Sequence, residues 1–314
     1  MNDITDYSLI FTLIFPLVLL ALLIIIIVSS IPKRKQKQEF MSLDDFIKDW
    51  LKDHGQAHKL EKQFAKMKKD PSGKLYMPIT YKGAKFFIRL GLSPNKLSFI
   101  NLILSFFILW GVTMASIGHI LDPLSQQPIY GSWFLALGLL VLITGVSDGI
   151  DGAIARLLGT KSKSGAWLDN VIDRVSDILM VICFVPTTLL IIPTHGFDFT
   201  WLAWTNAFLI LIYEYMRAKH EGLGLHATKP FIGEKITRIL IISTFFLWYG
   251  LSSFTVFVTK LINPSFTIWD ASHSWILTWT MLICQISLAI IMILSMIFSS
   301  KYIWKNLKKI DNKE

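Results

Sequence analysis

Seven apolar runs, each long enough to cross a bilayer as a helix, constrain this chain more than any other feature of it. They cover residues 8–30, 97–119, 132–155, 166–193, 199–216, 237–259 and 275–299. A backbone inside lipid must satisfy its own N–H and C=O groups, so the expected architecture is an all-α integral membrane protein. The hydrophobic share of 53% and mean hydropathy of +0.52 agree, being too apolar for an ordinary soluble domain. A formal net charge of +9 would suit nucleic acid, but that partner leaves the hydropathy unexplained, and none is expected. The first run follows Asp3 and Asp6 and precedes "IPKRKQKQ", the flanks of a retained anchor rather than of a cleaved signal. Cys183 and Cys284 both lie inside apolar runs, which gives no disulfide framework.

Loop charge sets the orientation. Lys and Arg crowd 33–96, 156–163, 217–238 and 301–313, whereas 120–131 and 194–198 hold none and 260–274 holds only Lys260. The positive-inside rule therefore places the N-terminus outside and the C-terminus in the cytoplasm of a multi-pass cell-membrane protein. The chain divides into an N-terminal anchor (1–31), a cytoplasmic amphipathic linker (32–79), a six-span domain (80–300) and a basic cytoplasmic tail (301–314). In the linker, Ser42 is placed as an N-cap with Asp45 at the third helical position. Phe46, Trp50 and Leu51 recur at helical spacing, as on a helix lying along the membrane surface. A solvated linker and a partner-binding or regulatory role both remain open for it.

The third and fourth runs carry an unusual load of carboxylates. Asp148, Asp151, Gly152, Ala155 and Arg156 fall on one stripe of a helix, and Gly165, Asp169, Asp173 and Asp177 repeat the pattern on the next. The short loop "LLGTKSKS" makes the two helices antiparallel neighbours, so the carboxylates face each other at the cytoplasmic end. Such a group of anions requires cations. Hard oxygen ligands suit Mg²⁺ or Mn²⁺, and two such ions per site form the arrangement used for displacement at phosphorus. Gly152, Ala155 and Gly165 remove side-chain bulk beside them, and Arg156 offers a forked donor to a phosphate. Pairing with Arg156, Arg174 or the loop lysines accounts for two of the aspartates, not for four on facing stripes.

The spacing Asp-x2-Asp-Gly-x2-Ala-Arg-x8-Gly-x3-Asp-x3-Asp, from Asp148 to Asp173, resembles the signature of the CDP-alcohol phosphotransferases, with every fixed position present. The similarity extends to "LSPNKLS" at 92–98 and covers roughly 80–300, leaving residues 1–75 outside. It implies six membrane helices around a polar cavity open to the cytoplasm, in a homodimer, here preceded by one extra transmembrane helix. It also implies that Asp148, Asp151 and Asp169 bind the metal pair, with Asp173 both a ligand and the general base. Gly152, Arg156 and Ser162 would contact the CDP group, with Ala155 and Gly165 beside it, and Pro94 and Asn95 match the nucleotide-side loop. An acceptor hydroxyl would then attack the lipid-side phosphorus of a CDP-linked lipid, and CMP would leave.

A second cluster bears on the acceptor. "RAKHEGLG" followed by "GEKITR" is similar to the pattern of the phosphatidylinositol-phosphate and archaetidylinositol-phosphate synthases, which implies that Arg217, Lys235 and Arg238 grip a phosphorylated polyol. Lys219 and Lys235 stand where that pattern has arginine, and Thr237 where it has glutamate. Glycerol 3-phosphate, serine and a soluble CDP-inositol donor are the alternatives within the same chemistry. An ion-coupled transporter is the alternative class, since intramembrane aspartates also mark ion paths. Against it, these aspartates sit at the cytoplasmic ends of their spans, and the hydropathy shows no inverted repeat.

Overall fold

The computed structural model describes residues 9–31, 39–53, 59–70, 72–117, 128–192, 194–223, 231–265 and 273–312. The basic run at 33–37, most of the predicted 120–131 connection and Lys229 lie outside the described residues. Among those residues the regular structure is helical, apart from an isolated antiparallel bridge between Ile191 and Asp198. In chain order the helices are α1 (Phe15–Val28, entered through a π-helical turn at Ile10–Ile14), α2 (Leu43–Asp53), α3 (Leu60–Met67), α4 (Met77–Arg89), α5 (Pro94–Ile117), α6 (Pro128–Leu158), α7 (Lys163–Ile182), α8 (Thr200–Gly222), α9 (Lys235–Ile262) and α10 (His273–Asp311).

Each of the seven predicted runs contains a helix, but among the described residues only α1, α5, α6, α9 and α10 are long and apolar enough to cross a membrane by themselves. The other two carry charge: Asp169, Asp173, Arg174 and Asp177 on α7, and Glu214, Arg217, Lys219 and Glu221 on α8. The fourth run is also shorter as a helix than expected, ending at Ile182 rather than 193. Pro186 explains this, because it has no N–H for the Ile182 carbonyl and its ring collides with that group. Beyond it the chain turns back on itself, with Ile192 N–H donating to the Phe197 carbonyl at 2.9 Å and Phe199 N–H to the Leu190 carbonyl at 2.9 Å. At the other end of the chain, α10 continues as helix to Asp311, through most of what the sequence reads as a tail.

A glycine seam joins α6 to α9. Gly131, Gly138 and Gly145 recur every seven residues, so they share one face of α6. A side chain on Gly131 would strike Ser253, one on Gly138 would meet Leu247 Cγ at 2.8 Å, and one on Gly145 would meet Ile239 Cγ2 at 2.8 Å. From α9, Gly250 answers by lying against the Leu135 backbone. Small residues allow this close approach where lipid supplies no hydrophobic drive to helix pairing. As α6 advances from 131 to 145 its partners on α9 fall from 253 to 239, so the two helices are antiparallel. Phe134 locks the same interface edge-to-face with Phe246 and Tyr249, at centroid distances of 5.2 and 5.5 Å.

A second core lies at the C-terminal end of α6. Phe46, Ile47 and Leu51 of α2 and Met67 at the end of α3 are buried there with Met77, Ala84 and Ile88 of α4 and Ile150, Ala153 and Ile154 of α6. The amphipathic linker thus turns its apolar face onto protein, where the sequence reading put it along the membrane surface. Ser42 caps α2 as expected: Asp45 N–H donates to Ser42 Oγ at 3.1 Å, and Ser42 Oγ donates to Asp45 Oδ2 at 2.6 Å. Ion pairs Lys48–Glu61 and Lys68–Asp44, at 3.0 and 2.7 Å, run in opposite senses along the two helices and make α2 and α3 an antiparallel pair. Phe46→Ala is expected to weaken the docking of this pair by about 3 kcal/mol. Hydrogen exchange in α2 should then rise while α6 and α9 keep their protection; unchanged exchange in α2 would show that the ring does not dock it.

Candidate active site

The α6–α7 turn assembles the site. α6 stops at Leu158, and Gly159, with φ of 65°, reverses the chain in the left-handed region that glycine adopts without a Cβ clash. Ser162 then caps α7, its Oγ accepting from Gly165 N–H at 3.0 Å. The two helices do not pack along each other as the antiparallel neighbours that the short loop predicts: α5 packs against both, and the carboxylates of Asp148, Asp169 and Asp173 meet between them. One oxygen from each of Asp148, Asp169 and Asp173 lies within 4.8 Å of the other two. This is a hard, all-oxygen donor set, and it fits a divalent cation of the Mg²⁺ or Mn²⁺ kind.

The fourth predicted ligand is held differently. Asp151 accepts from Ser98 Oγ at 2.7 Å through Oδ2 and from Gly152 N–H at 2.6 Å through Oδ1. Ser98 also stands 3.4 Å from Asp169 Oδ1, so α5 links Asp151 to the triad. Sequence reasoning passed over Ser98, although it lies one helical turn beyond Pro94 and so faces the same way as the predicted nucleotide loop. Pro94 opens α5, and Asn95 reaches α7: a side chain on Gly165 would meet Ser162 Oγ at 3.0 Å and Asn95 Oδ1 at 3.6 Å. The structure therefore brings Asn95, Ser162 and Gly165 together. Gly152 has only Arg156 Nη1 near the start of any side chain, at 3.4 Å. Ala155 lies a turn beyond Asp151 on the same helix. Gly149 admits the Tyr76 hydroxyl so closely that no side chain fits there.

The three predicted acceptor-site cations separate into two settings. Lys235 sits in the triad itself, its Nζ 2.5 Å from Asp148 Oδ1 and 2.7 Å from Asp173 Oδ1. Arg238, one turn along α9, is inside the protein: its Nη2 is 2.5 Å from Asp177 Oδ2 and 3.1 Å from Glu214 Oε1, and its Nη1 donates to the Gly233 carbonyl at 2.6 Å. Arg217 pairs with Glu234 at 2.8 Å and stacks over Tyr213. Arg174 completes the network, 2.8 Å from Glu214 and 3.3 Å from Asp177. Glu214 and Glu234 were not singled out by the sequence. Their signal was there, since buried arginines in a span require carboxylate partners.

On the opposite side of the site, Arg156 does not point into the triad. Its Nε donates to Asp53 Oδ2 at 3.0 Å and its Nη2 lies 3.0 Å from the same oxygen. Lys161 bridges Asp49 and Asp53 at 2.5 and 2.9 Å. Partial burial pushes the Asp53 carboxyl up, but the Lys161 hydrogen bond and the Arg156 charge outweigh it and hold it below its ordinary value. Burial likewise works against the Lys161 charge, yet hydrogen bonds to Asp49 and Asp53 raise it. Each of these two shifts favours the charged form of its group.

The sequence profile of the family described as CDP-alcohol phosphatidyltransferase matches residues 91–297. An archaetidylinositol phosphate synthase of Pyrococcus horikoshii is 29% identical over 157 residues, covering 49% of this chain and 68% of the relative. A phosphatidylinositol phosphate synthase of Cutibacterium acnes is 32% identical over 113 residues, covering 35% of this chain and 49% of the relative. The chain thus spans about two thirds of the first relative's length and half of the second's. Among solved structures, a Mycobacterium tuberculosis phosphatidylinositol phosphate synthase with CDP-DAG bound superposes with a TM-score of 0.49 at 21% identity, covering 72% of this chain and 94% of that one.

The two charge groups separate experimentally. Asp169→Asn should weaken Mn²⁺ binding at least about tenfold in a calorimetric titration, because it removes a ligand. Asp177→Asn should leave Mn²⁺ binding near wild type yet lower stability by about 3 kcal/mol, because it strips the buried Arg238 of a partner. Equal loss of Mn²⁺ binding in both would show that the network and the triad are one unit.

Proposed function

Because the chain is a multi-pass membrane protein of the CDP-alcohol phosphatidyltransferase family, we propose that its aspartate site transfers the phosphatidyl-type group of CDP-diacylglycerol or CDP-archaeol to a hydroxyl of an inositol phosphate, releasing CMP. The observation that carries this reading is the position of Lys235, 2.7 Å from the carboxylate of Asp173. A phosphate bound by that ammonium brings its polyol next to the group assigned as base. The relatives named archaetidylinositol phosphate synthase and phosphatidylinositol phosphate synthase support an acceptor of this class.

In this reading Asp173 accepts the proton of the attacking hydroxyl, the new O–P bond forms at the lipid-side phosphorus, and the bond to CMP breaks. Two divalent ions, Mg²⁺ or Mn²⁺, held by Asp148, Asp151, Asp169 and Asp173, would supply charge neutralisation at the pyrophosphate. Arg156 meets the nucleotide phosphates through Nη1, the guanidinium corner that Asp53 leaves unengaged, beside the space left at Gly152 and Ala155. Asn95, Ser162 and Gly165 form the facing wall of the nucleotide side. Lys235 and Arg217 hold the acceptor phosphate. Arg238 serves that site from within, fixing the start of α9, and so Lys235, against Asp177 of α7. The cytoplasmic orientation of the site and a homodimer belong to the same reading.

The test is CMP release by the purified protein from each CDP-lipid in Mg²⁺ or Mn²⁺, with inositol phosphate, glycerol 3-phosphate, serine or inositol as acceptor. Release is expected with inositol phosphate, and Asp173→Asn should reduce kcat about a thousandfold. Lys235→Ala should raise the KM for inositol phosphate at least about tenfold, the loss of one charged contact to a phosphate. Release with unphosphorylated inositol at an equal rate would rule out the phosphate-binding role of Lys235.

A further inference from the structure

The helix that carries Asp49 and Asp53 lies outside the residues matched by the family profile, which begins at 91, yet it reaches the predicted nucleotide side. Its docking leaves little freedom. Phe46, Ile47 and Leu51 are buried against α4 and α6, and Ser42 caps its start. Asp49 and Asp53 are one helical turn apart, so they emerge on one stripe, and that stripe meets the α6–α7 turn. Asp53 takes the Nε and Nη2 edge of Arg156, and with Asp49 it holds Lys161.

This edge-on grip has a geometric consequence. A guanidinium presents its donors in a rigid fork, so fixing one edge fixes the direction of the remaining corner. That corner, Nη1, stands over Gly152, the residue between Asp151 and the open space beside it. Without Asp53, the carboxylate left beside Arg156 is Asp49, whose Oδ2 stands 3.9 Å from Nε, too far for a hydrogen bond, so the flexible stem is no longer held against the pull of the aspartates one turn back on α6. Asp49 and Asp53 also draw Lys161 the same way.

We infer that Asp53, supported by Asp49, is a positioning residue for the nucleotide donor: helix α2, outside the matched family residues, orients Arg156 so that one guanidinium corner stays directed at the donor phosphates. The inference rests on the donor reading given above. It assigns the α2–α3 pair a part in donor recognition and leaves the acceptor site to α8 and α9.

The experiment measures the Kd of CDP-diacylglycerol for the full-length protein in Mn²⁺ by calorimetry, without acceptor, alongside steady-state kinetics. Asp53→Ala should weaken the Kd about tenfold, the value of one charged hydrogen-bonded contact, and raise the donor KM in parallel. At saturating donor its kcat should stay within about twofold, and the acceptor KM should not move. In an Arg156→Ala background, Asp53→Ala should have no further effect, since the two act through one contact. Glu61→Gln, which breaks an ion pair of the same helical pair away from the site, should leave the Kd unchanged. Unchanged or tighter donor binding by Asp53→Ala would overturn the inference, as would an effect that adds to that of Arg156→Ala. A wild-type protein that does not bind CDP-diacylglycerol at all would overturn the donor reading itself, and this inference with it.

Discussion

The seam between α6 and α9 is the constraint on which the rest of the structure depends. Its register pairs 131 with 253, 138 with 247 and 145 with 239, and the same antiparallel count carried one turn further pairs Asp148 with Lys235. The cation at the site is therefore placed by backbone packing deep in the helix pair. A slip of one helical turn would move Lys235 by about 5.4 Å and take it out of reach of the carboxylates. Close approach without side chains is what forbids the slip, because each glycine sits against one particular neighbour on α9.

Around that pair the charges sort into three groups with different work. The triad of Asp148, Asp169 and Asp173 is a hard-ligand site between α6 and α7. Behind it, Asp177, Glu214, Arg174 and Arg238 form a set of ion pairs that ties α7, α8 and α9 together, with Arg217 joined to it through Glu214 and Arg174 reaching to 3.9 Å from Asp173. In front, Asp49 and Asp53 engage the two cations of the α6–α7 turn. A bare count of acidic and basic residues would merge these groups. Their separation comes from which helix each residue rides on.

Much of this was legible in the sequence, for physical reasons that also mark where legibility ended. Run length and polarity located the helices, and i, i+3 and i, i+4 spacing put the aspartates on facing stripes before any contact was known. The early end of α7 is legible too, in Pro186, which interrupts the apolar run that continues past it. The docking of α2 was not, since the apolar face of an amphipathic helix looks the same whether it meets lipid or protein. The place of Lys235 was hidden for another reason: 87 residues separate it from Asp148, and only the helix register brings them together. The seven-residue glycine spacing that sets this register was present in the sequence but is not a repeat of the length that defines solenoids.

The charge on α7 and α8 has a consequence for how the protein enters its membrane. Neither helix is apolar enough to partition into lipid alone, and each carries groups that are expensive there until they are paired. Their partners are partly on α9, which is synthesised later. Their charges are therefore fully paired only once α9 brings Arg238 and Lys235. Arg174 already pairs with Asp177 and Glu214 from within α7 and α8, so what α9 adds is the cation of the triad and a second partner for Asp177 and Glu214: the helix that completes the charge balance of α7 and α8 is the helix that completes the site.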